Sequence, residues 1–395
     1  MVEQFVKISE KAEKSVKGGH PWVFEDEINE VSDGITDGNL VKVKTSKGRF
    51  LGTGFYNSNS KIRVRMISEN ANDRFDEQFF YRRLKWAVDY RKTVMGDDFS
   101  CCRIIFGEAD RFPGFTVDRF ENVLVTEVLS LGIEKIKDML YRQLLDIFEK
   151  MGEKIDIIYE RNDAPIREKE GMEQYKGFWY GEGDGIVHIT ENGIKYRVDY
   201  INGQKTGFFL DQKYNRAAVS RIAKGRHVLD CCTHTGAFAL NAAKGGATSV
   251  MAVDVSASAL ETAAKNAELN GLEVEFIKAD VFELLTNMKG ECYDFIILDP
   301  PAFTKSSSTV RNAYFGYKEL NRLAMKNLPR GGYLATCSCS HFMPAKLFEK
   351  MLAEASAEAS VTLRQVEMRQ QSPDHPILVN VPETDYLKFY IFQVV

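Results

Sequence analysis

Beyond about residue 210 the sequence alternates short apolar runs with longer amphipathic stretches, and four successive runs end in aspartate. A strand separated from the next strand by a helix joins it in parallel, because a parallel pair needs a long crossover connection. Strands are expected at 227–230 (HVLD), 249–254 (SVMAVD), 274–279 (VEFIKA), 295–299 (FIILD) and 333–337 (YLATC). Helices are expected between them at about 237–244, 257–269, 281–288, 313–328 and 345–358, and two closing strands at 362–369 and 387–394. Seven strands in this rhythm predict a doubly wound α/β sheet. Such a sheet binds ligands outside the carboxyl ends of its strands, near the point where the strand order reverses.

The residues that follow each strand are therefore the ones to inspect. The first strand runs into Asp230-Cys231-Cys232-Thr233-His234-Thr235-Gly236, the second ends in Asp254, the third is followed by Asp280, and the fourth ends in Asp299-Pro300-Pro301-Ala302-Phe303. Asp254 lies 24 residues after Asp230, close to the spacing of an acid that binds ribose hydroxyls. The first loop has one glycine, Gly236, and no G-x-G-x-x-G, which disfavours a dinucleotide whose pyrophosphate rests on glycine amides. Acidic strand ends repel phosphate. They suit a ligand with a ribose, an adenine amine and a cationic centre, as in S-adenosylmethionine.

Upstream the pattern differs. Residues 1–72 are short, turn-rich and strand-like, with VKVKT from Val41 and IRVRMI from Ile62 alternating apolar and basic positions. The whole chain carries 52 basic against 56 acidic side chains, a net charge of -4, so no global charge argument favours nucleic acid. A local one does: residues 38–68 hold Lys42, Lys44, Lys47, Arg49, Lys61, Arg63 and Arg65 and no acidic residue. Such a face either binds RNA or is simply solvated, with lysines protecting an edge strand. Its length tips the reading toward nucleic acid, with Lys42, Lys44, Arg49, Lys61, Arg63 and Arg65 as the phosphate contacts.

A helix around Phe80, Leu84, Ala87 and Val88 then leads into a central α+β region, 73–188, read as β-β-α-β. A hairpin follows, with Asn192-Gly193 at its turn. The domain expectation is thus 1–72, 73–188 and 189–395. The charged start lacks the apolar core of a secretory signal, and no apolar run approaches the 18 or so residues of a membrane span, so a soluble cytoplasmic protein is expected. Seven Cys with no C-x-x-C spacing predict thiols, with neither a disulfide framework nor a metal site. Exposed strand edges in the central region would allow a homodimer.

Eight segments, in order along nearly the whole chain, carry a resemblance: GHPWVFEDEI (19–28), GFYNSNSKIRVRMI (54–67), EADRFPGFTVDRF (108–120), ERNDAPIREKEGM (160–172), GQKTGFFLDQ (203–212), LDCCTHTGAFA (229–239), LDPPAF (298–303) and CSCS (337–340). In these the chain resembles the RlmI-like family of bacterial large-subunit ribosomal RNA cytosine-C5 methyltransferases. The resemblance implies an N-terminal PUA domain, a central α+β domain and a C-terminal, Rossmann-like class I methyltransferase domain. It implies S-adenosylmethionine as cofactor and large-subunit ribosomal RNA as partner. Lys205, Thr206, Gly207, Phe209 and Asp211, with Asp230, Thr233, His234, Thr235 and Gly236, would hold the methionine part. Asp254, Val255 and Ser256 would hold the ribose, Asp280 and Val281 the adenine, and Asp299 with Pro300 the space between methyl group and target base.

Cytosine C5 is a poor nucleophile, so chemistry there calls for a thiolate that adds at C6. The fifth strand ends in Thr336-Cys337-Ser338-Cys339-Ser340, and alternation puts Cys337 and Cys339 on one face, so spacing does not choose between them. The resemblance favours Cys339. Two alternatives stay open at the level of sequence. D-P-P-x-F also resembles the N-P-P-aromatic motif of exocyclic amine methylation, with Phe303 stacking on a guanine whose N2 is modified and no thiolate required. Alternatively, the chain is an RNA-binding ribosome assembly factor with a vestigial methyltransferase fold, a reading that the intact carboxylates and cysteines oppose.

Overall fold

A computed structural model describes residues 3–288, 292–304 and 306–395. Its contacts group the chain into two compact units. The first runs up to Ile189 and adds Val198–Leu210 and Pro373–Thr384; the second comprises Thr190–Arg197, Asp211–Ser372 and Asp385–Val395. The expected segments 1–72 and 73–188 both fall in the first unit, and most of 189–395 falls in the second.

The first unit holds two sheets. The N-terminal one has six strands in the order Trp22–Phe24, Ile62–Ser68, Phe50–Tyr56, Leu40–Thr45, Phe5–Ile8 and Ile28–Val31. Alternate residues Val6, Ile8, Val41, Val43, Val64 and Met66 enter its core, together with Ala12 and Val16. Those last two come from a helix, Glu10–Lys17, which the strand-like reading of this region missed; Ser9 caps its first turn. The second sheet has five strands, Tyr175–Tyr180, Ile157–Asn162, Val123–Val128, Phe115–Phe120 and Cys101–Phe106 in spatial order. Tyr175–Tyr180 was not expected. It is an edge strand, half-buried on one side only, so its apolar signal is weak. Helices Glu77–Met95 and Leu131–Lys150 belong to this unit.

In the second unit all seven expected strands are present: His227–Cys231, Ser249–Asp254, Glu275–Lys278, Phe295–Leu298, Tyr333–Ser338, Leu363–Arg369 and Lys388–Val394. In space they run third, second, first, fourth, fifth, seventh, sixth. The first five pair in parallel, and the seventh pairs antiparallel with both the fifth and the sixth. Leu229, Ile296 and Leu298 pack into one apolar cluster and their sequence neighbours Val228, Phe295 and Ile297 into another, so the sheet is covered on both faces. Helices Ala237–Lys244 and Ala345–Glu358 sit where the spacing put them, whereas the helix expected at 313–328 runs Val310–Lys326. The strand order reverses between the first and fourth strands, so the crevice lies between the loops carrying Asp230 and Asp299.

Candidate active site

The first-strand loop is tightly wound. Cys232, His234 and Gly236 all have positive φ, at 63°, 51° and 84°, a costly conformation for the two residues with a Cβ. Carboxylates hold this turn together. Asp230, fully buried, accepts the Thr233 hydroxyl at 2.6 Å and the Ala239 amide at 2.9 Å on Oδ2. Asp254 accepts the His234 amide on Oδ2 and the Ser256 amide on Oδ1, both at 2.9 Å. Thr235 receives the Asn266 side-chain amide on its carbonyl.

The other oxygen of Asp230, Oδ1, is buried with no hydrogen-bond partner. Burial pushes the Asp230 carboxyl up to about 7, against the pull of the Thr233 hydroxyl, and the charges of Asp299 and Asp254 push the same way. The Cys232 thiol is raised by burial and then by Asp299, Asp254, Asp230 and Asp280. All four strand-end carboxylates thus act on one point. A buried carboxyl oxygen without a donor, amid three further carboxylates, fits the ammonium and sulfonium of S-adenosylmethionine, whose positive charge would favour its ionised form. Residues with phosphate-binding chemistry are not what this loop presents.

Two of the expected residues play structural parts. Asp280 caps helix Val281–Asn287, accepting the Glu283 amide at 3.1 Å. The Val281 side chain is buried in the apolar core, so its backbone is the part left to face an adenine. Val255, by contrast, is 62% exposed beside Asp254 and offers an apolar surface at the right strand end. Ser256 caps helix Ala257–Asn270. Asp211 is held by the Tyr386 hydroxyl at 2.7 Å. Lys205, Thr206, Gly207 and Phe209 belong to the first unit. There the buried Thr206 hydroxyl donates to Asp118 at 2.6 Å, and the Lys205 ammonium lies 5.1 Å from the Phe209 ring centre.

The fourth and fifth strand ends carry the reactive groups. Asp299 Oδ1 accepts the Cys337 thiol at 2.9 Å and the Gln212 amide at 3.3 Å. Burial lifts the Asp299 carboxyl to about 6, opposed by the Cys337 contact and assisted by Asp211. Pro300 is buried beside it. Cys337 is fully buried, and burial together with the neighbouring Asp299 charge drives its thiol well up, so it sits as a donor rather than a thiolate. Cys339 is partly exposed. Its neighbour is Lys388, which pairs opposite Ser338 and donates to the carbonyls of Ser340 at 2.6 Å and Tyr386 at 2.8 Å. Burial lowers the Lys388 ammonium to about 8, and Cys339 is the foremost group pulling it back up. Lys388 was absent from the expected site residues. A lysine inside the otherwise apolar run LKFYIF was the signal that could have found it. Phe303 packs against Tyr317, with ring centres 4.5 Å apart, and less closely against Phe282.

The basic stretch of the N-terminal sheet is acid-free in sequence but not in space. Lys42 and Lys44 both pair with Glu3, at 2.7 and 2.5 Å, and Arg63 pairs with Glu25. Arg65 is a correction: its side chain is 11% exposed and its guanidinium, bound to Glu170 at 2.8 Å and near Glu108 at 3.4 Å, is in an internal ion pair. Arg49 and Lys61 remain exposed. Among the described residues no cluster suited to a metal ion occurs, all seven cysteines are thiols, and no helix is long and apolar enough to cross a membrane.

Residues 173–392 match the S-adenosylmethionine-dependent methyltransferase family, and residues 6–69 match a PUA-like domain. A protein of Pseudoalteromonas translucida named ribosomal RNA large subunit methyltransferase I is 41% identical over 97% of this chain and 97% of its own length. The protein of that name from Aeromonas salmonicida is 39% identical over 97% of this chain and 98% of its own. Among solved structures, a Streptococcus mutans protein described as a methyltransferase dependent on S-adenosylmethionine is 23% identical and superposes with a TM-score of 0.82, covering 99% of this chain and 100% of its own.

Proposed function

The chain belongs to the S-adenosylmethionine-dependent methyltransferase family, and from that premise we propose that it forms 5-methylcytidine in large-subunit ribosomal RNA through a covalent cysteine adduct. The observation that carries the reading is the difference between the two thiols: Cys337 is buried as a donor to Asp299, while Cys339 is accessible beside the Lys388 cation. S-adenosylmethionine supplies an electrophilic methyl group when bound. Asp230 Oδ1 and the first-strand loop would hold its methionine end, Asp254 its ribose, and Asp280 with Val255 its adenine.

Lys388 stabilises the Cys339 thiolate. The sulfur adds to C6 of the cytosine, which pushes electron density onto C5 and makes that carbon nucleophilic. Transfer of the methyl group to C5 would break its bond to the sulfonium sulfur and leave a neutral thioether; loss of the C5 proton to a base and departure of Cys339 as a thiolate then restore the aromatic ring. Asp299, ionised and anchored by Gln212 and Cys337, faces the exocyclic amine of the base and orients it. The target base must leave its stack to reach these groups. Segments 1–72 and 73–188 serve as the RNA-gripping PUA-like and central domains of an enzyme working in the cytoplasm.

The test is to offer RNA in which the target cytidine is replaced by 5-fluorocytidine, which keeps C6 reactive but has no C5 proton to lose. A stable protein–RNA adduct that depends on Cys339 and on S-adenosylmethionine is the expected result. Methylation that survives Cys339→Ala and maps to guanine N2 would replace the covalent reading by one centred on Asp299 to Phe303.

A further inference from the structure

A pocket of about 350 Å³ opens in the first unit, far in sequence from the strand-end carboxylates. Its walls are the end of strand Ile62–Ser68, the turn that follows, and one face of helix Glu77–Met95. Asp76 caps that helix, accepting the Phe79 amide at 3.0 Å, which fixes where its first two turns point.

Two features set the pocket apart. Trp86 is 59% exposed at its rim, although a large aromatic side chain at a helix position normally turns inward. One turn earlier, the exposed Arg82 lies 5.5 Å from the Trp86 ring centre and 5.9 Å from that of Phe79. Arg82 makes no ion pair or hydrogen bond among the described residues.

The other charged groups facing the pocket are held by hydrogen bonds or an ion pair. Arg111 pairs with Glu69 at 3.1 Å. Both oxygens of Asp73 accept from neutral groups, the Ser68 hydroxyl at 2.5 Å and the Asn70 amide at 3.1 Å. Arg83 forms the floor, donating to the Ile67 carbonyl and lying 4.3 Å from the Phe79 ring centre. Burial lowers it to about 10, so it is still a cation at neutral pH. Three guanidinium groups against two carboxylates leave a net positive pocket with an exposed π-face beside the one uncommitted cation.

We propose that this pocket binds one unpaired nucleotide of the RNA substrate, with its base stacked on Trp86 and its phosphate on Arg82. The proposal rests on the RNA methyltransferase reading. A flat aromatic face next to a guanidinium is the recognition unit for a base and its phosphate, and stacking tolerates any base. The volume suits a single nucleotide better than a peptide segment, which needs a row of subsites. Unpaired nucleotides are what RNA-binding proteins read most readily, since an A-form helix hides its base edges.

The test titrates the full-length protein with a fluorescently labelled single-stranded oligoribonucleotide, with a mononucleotide in a parallel arm. Trp86→Ala should weaken oligonucleotide binding by about 5- to 50-fold. Trp86→Phe should keep most of the affinity. Arg82→Ala should weaken binding several-fold and flatten its salt dependence by about one phosphate contact. All three variants should bind S-adenosylmethionine and keep the wild-type circular dichroism spectrum and melting profile, which shows that both units are folded. Wild-type affinity in both alanine variants would overturn the proposal and leave the pocket to a protein segment. Equal affinity for the mononucleotide would overturn it in favour of a free metabolite. Failure of the wild type to bind any RNA would overturn the RNA reading itself, and the pocket proposal with it.

Discussion

Two charged regions stand out in this chain, and they behave in opposite ways once folded. The four aspartates at successive strand ends are scattered over about 70 residues of sequence, yet they converge on one point. The seven basic residues of 38–68 are concentrated in sequence, yet most of those placed on the N-terminal strands meet carboxylates from elsewhere in the chain. The difference is topological. A parallel sheet sends every carboxyl end to the same edge, so residues at equivalent strand positions must gather. The N-terminal sheet is antiparallel in all but one of its pairings, so its strand directions mostly alternate and equivalent strand positions are sent to opposite ends. Unneutralised charge collected at an edge is costly and signals a ligand; charge dispersed into pairs signals structure.

That contrast predicts which property each substitution changes. The largest effect belongs to Cys339. Cys339→Ala should lower methyl transfer by at least about 10³-fold with little change in stability, as expected for loss of a nucleophile. Cys337→Ala should instead lower thermal stability and leave measurable activity, because it removes a buried donor from Asp299. The pH profile should be a bell. Activity falls below about 6 as Asp299 protonates, and above about 8 as Lys388 loses its proton. Lys388→Arg, which stays charged, should extend the alkaline limb. An alkaline limb unmoved by that change would remove Lys388 from the mechanism.

Arg65→Ala should do the reverse, costing stability by about 3 kcal/mol, since it strips the buried Glu170 of its cation. The loss is moderated because Ser60 and Asn57 still donate to Glu170. Turnover on bound RNA should be unaffected after correction for unfolded protein. Denaturant melts alongside activity would expose any larger catalytic effect, which would return Arg65 to the RNA surface.

Asp230→Asn breaks the contrast from the acidic side. A buried carboxyl raised to about 7 binds a proton in the folded state that it would release when unfolded, so its contribution to stability declines as pH rises from about 4 to 7. The amide variant should therefore be more stable than wild type at pH 8, by up to roughly 4 kcal/mol, with the gain vanishing near pH 4. Its affinity for S-adenosylmethionine should drop by at least about tenfold. Wild-type affinity should improve with pH up to about 7, because binding a cation favours the ionised carboxyl. Calorimetric titration at pH 6 and pH 8 measures this directly.

Much of the second unit was legible because its signals are local. Period and strand-end chemistry placed all seven strands and the residues Asp230, Asp254, Asp280 and Asp299. Legibility ended where a partner is remote. Arg65 and Glu170 are separated by 105 positions, and nothing near Arg65 reveals that it is internal. Lys388 meets the fifth strand only through an antiparallel register formed after the long excursion through Ala345–Glu358 and Leu363–Arg369. For Val281 the sequence left open whether side chain or backbone would face a ligand, and packing decides it by burying the side chain.

The smallest expected effect tests what survives of the basic stretch. Lys61 and Arg49 are exposed, whereas Lys42 and Lys44 share Glu3 and Arg63 is paired to Glu25. The partners Glu3 and Glu25 are solvent-exposed, and such surface ion pairs contribute little and exchange readily, so Lys42, Lys44 and Arg63 can still turn to a phosphate. Lys61→Ala and Arg49→Ala should each lower RNA affinity only a few-fold at moderate salt and reduce the slope of log affinity against log salt by about one. Glu3→Gln should act in the opposite sense, freeing Lys42 and Lys44 and strengthening RNA binding a few-fold. If Glu3→Gln leaves affinity unchanged while Lys61→Ala weakens it, the RNA-facing charge is confined to the turns. If neither changes it, the sign bias of residues 38–68 is a solvated sheet face and the RNA contacts lie elsewhere in the first unit.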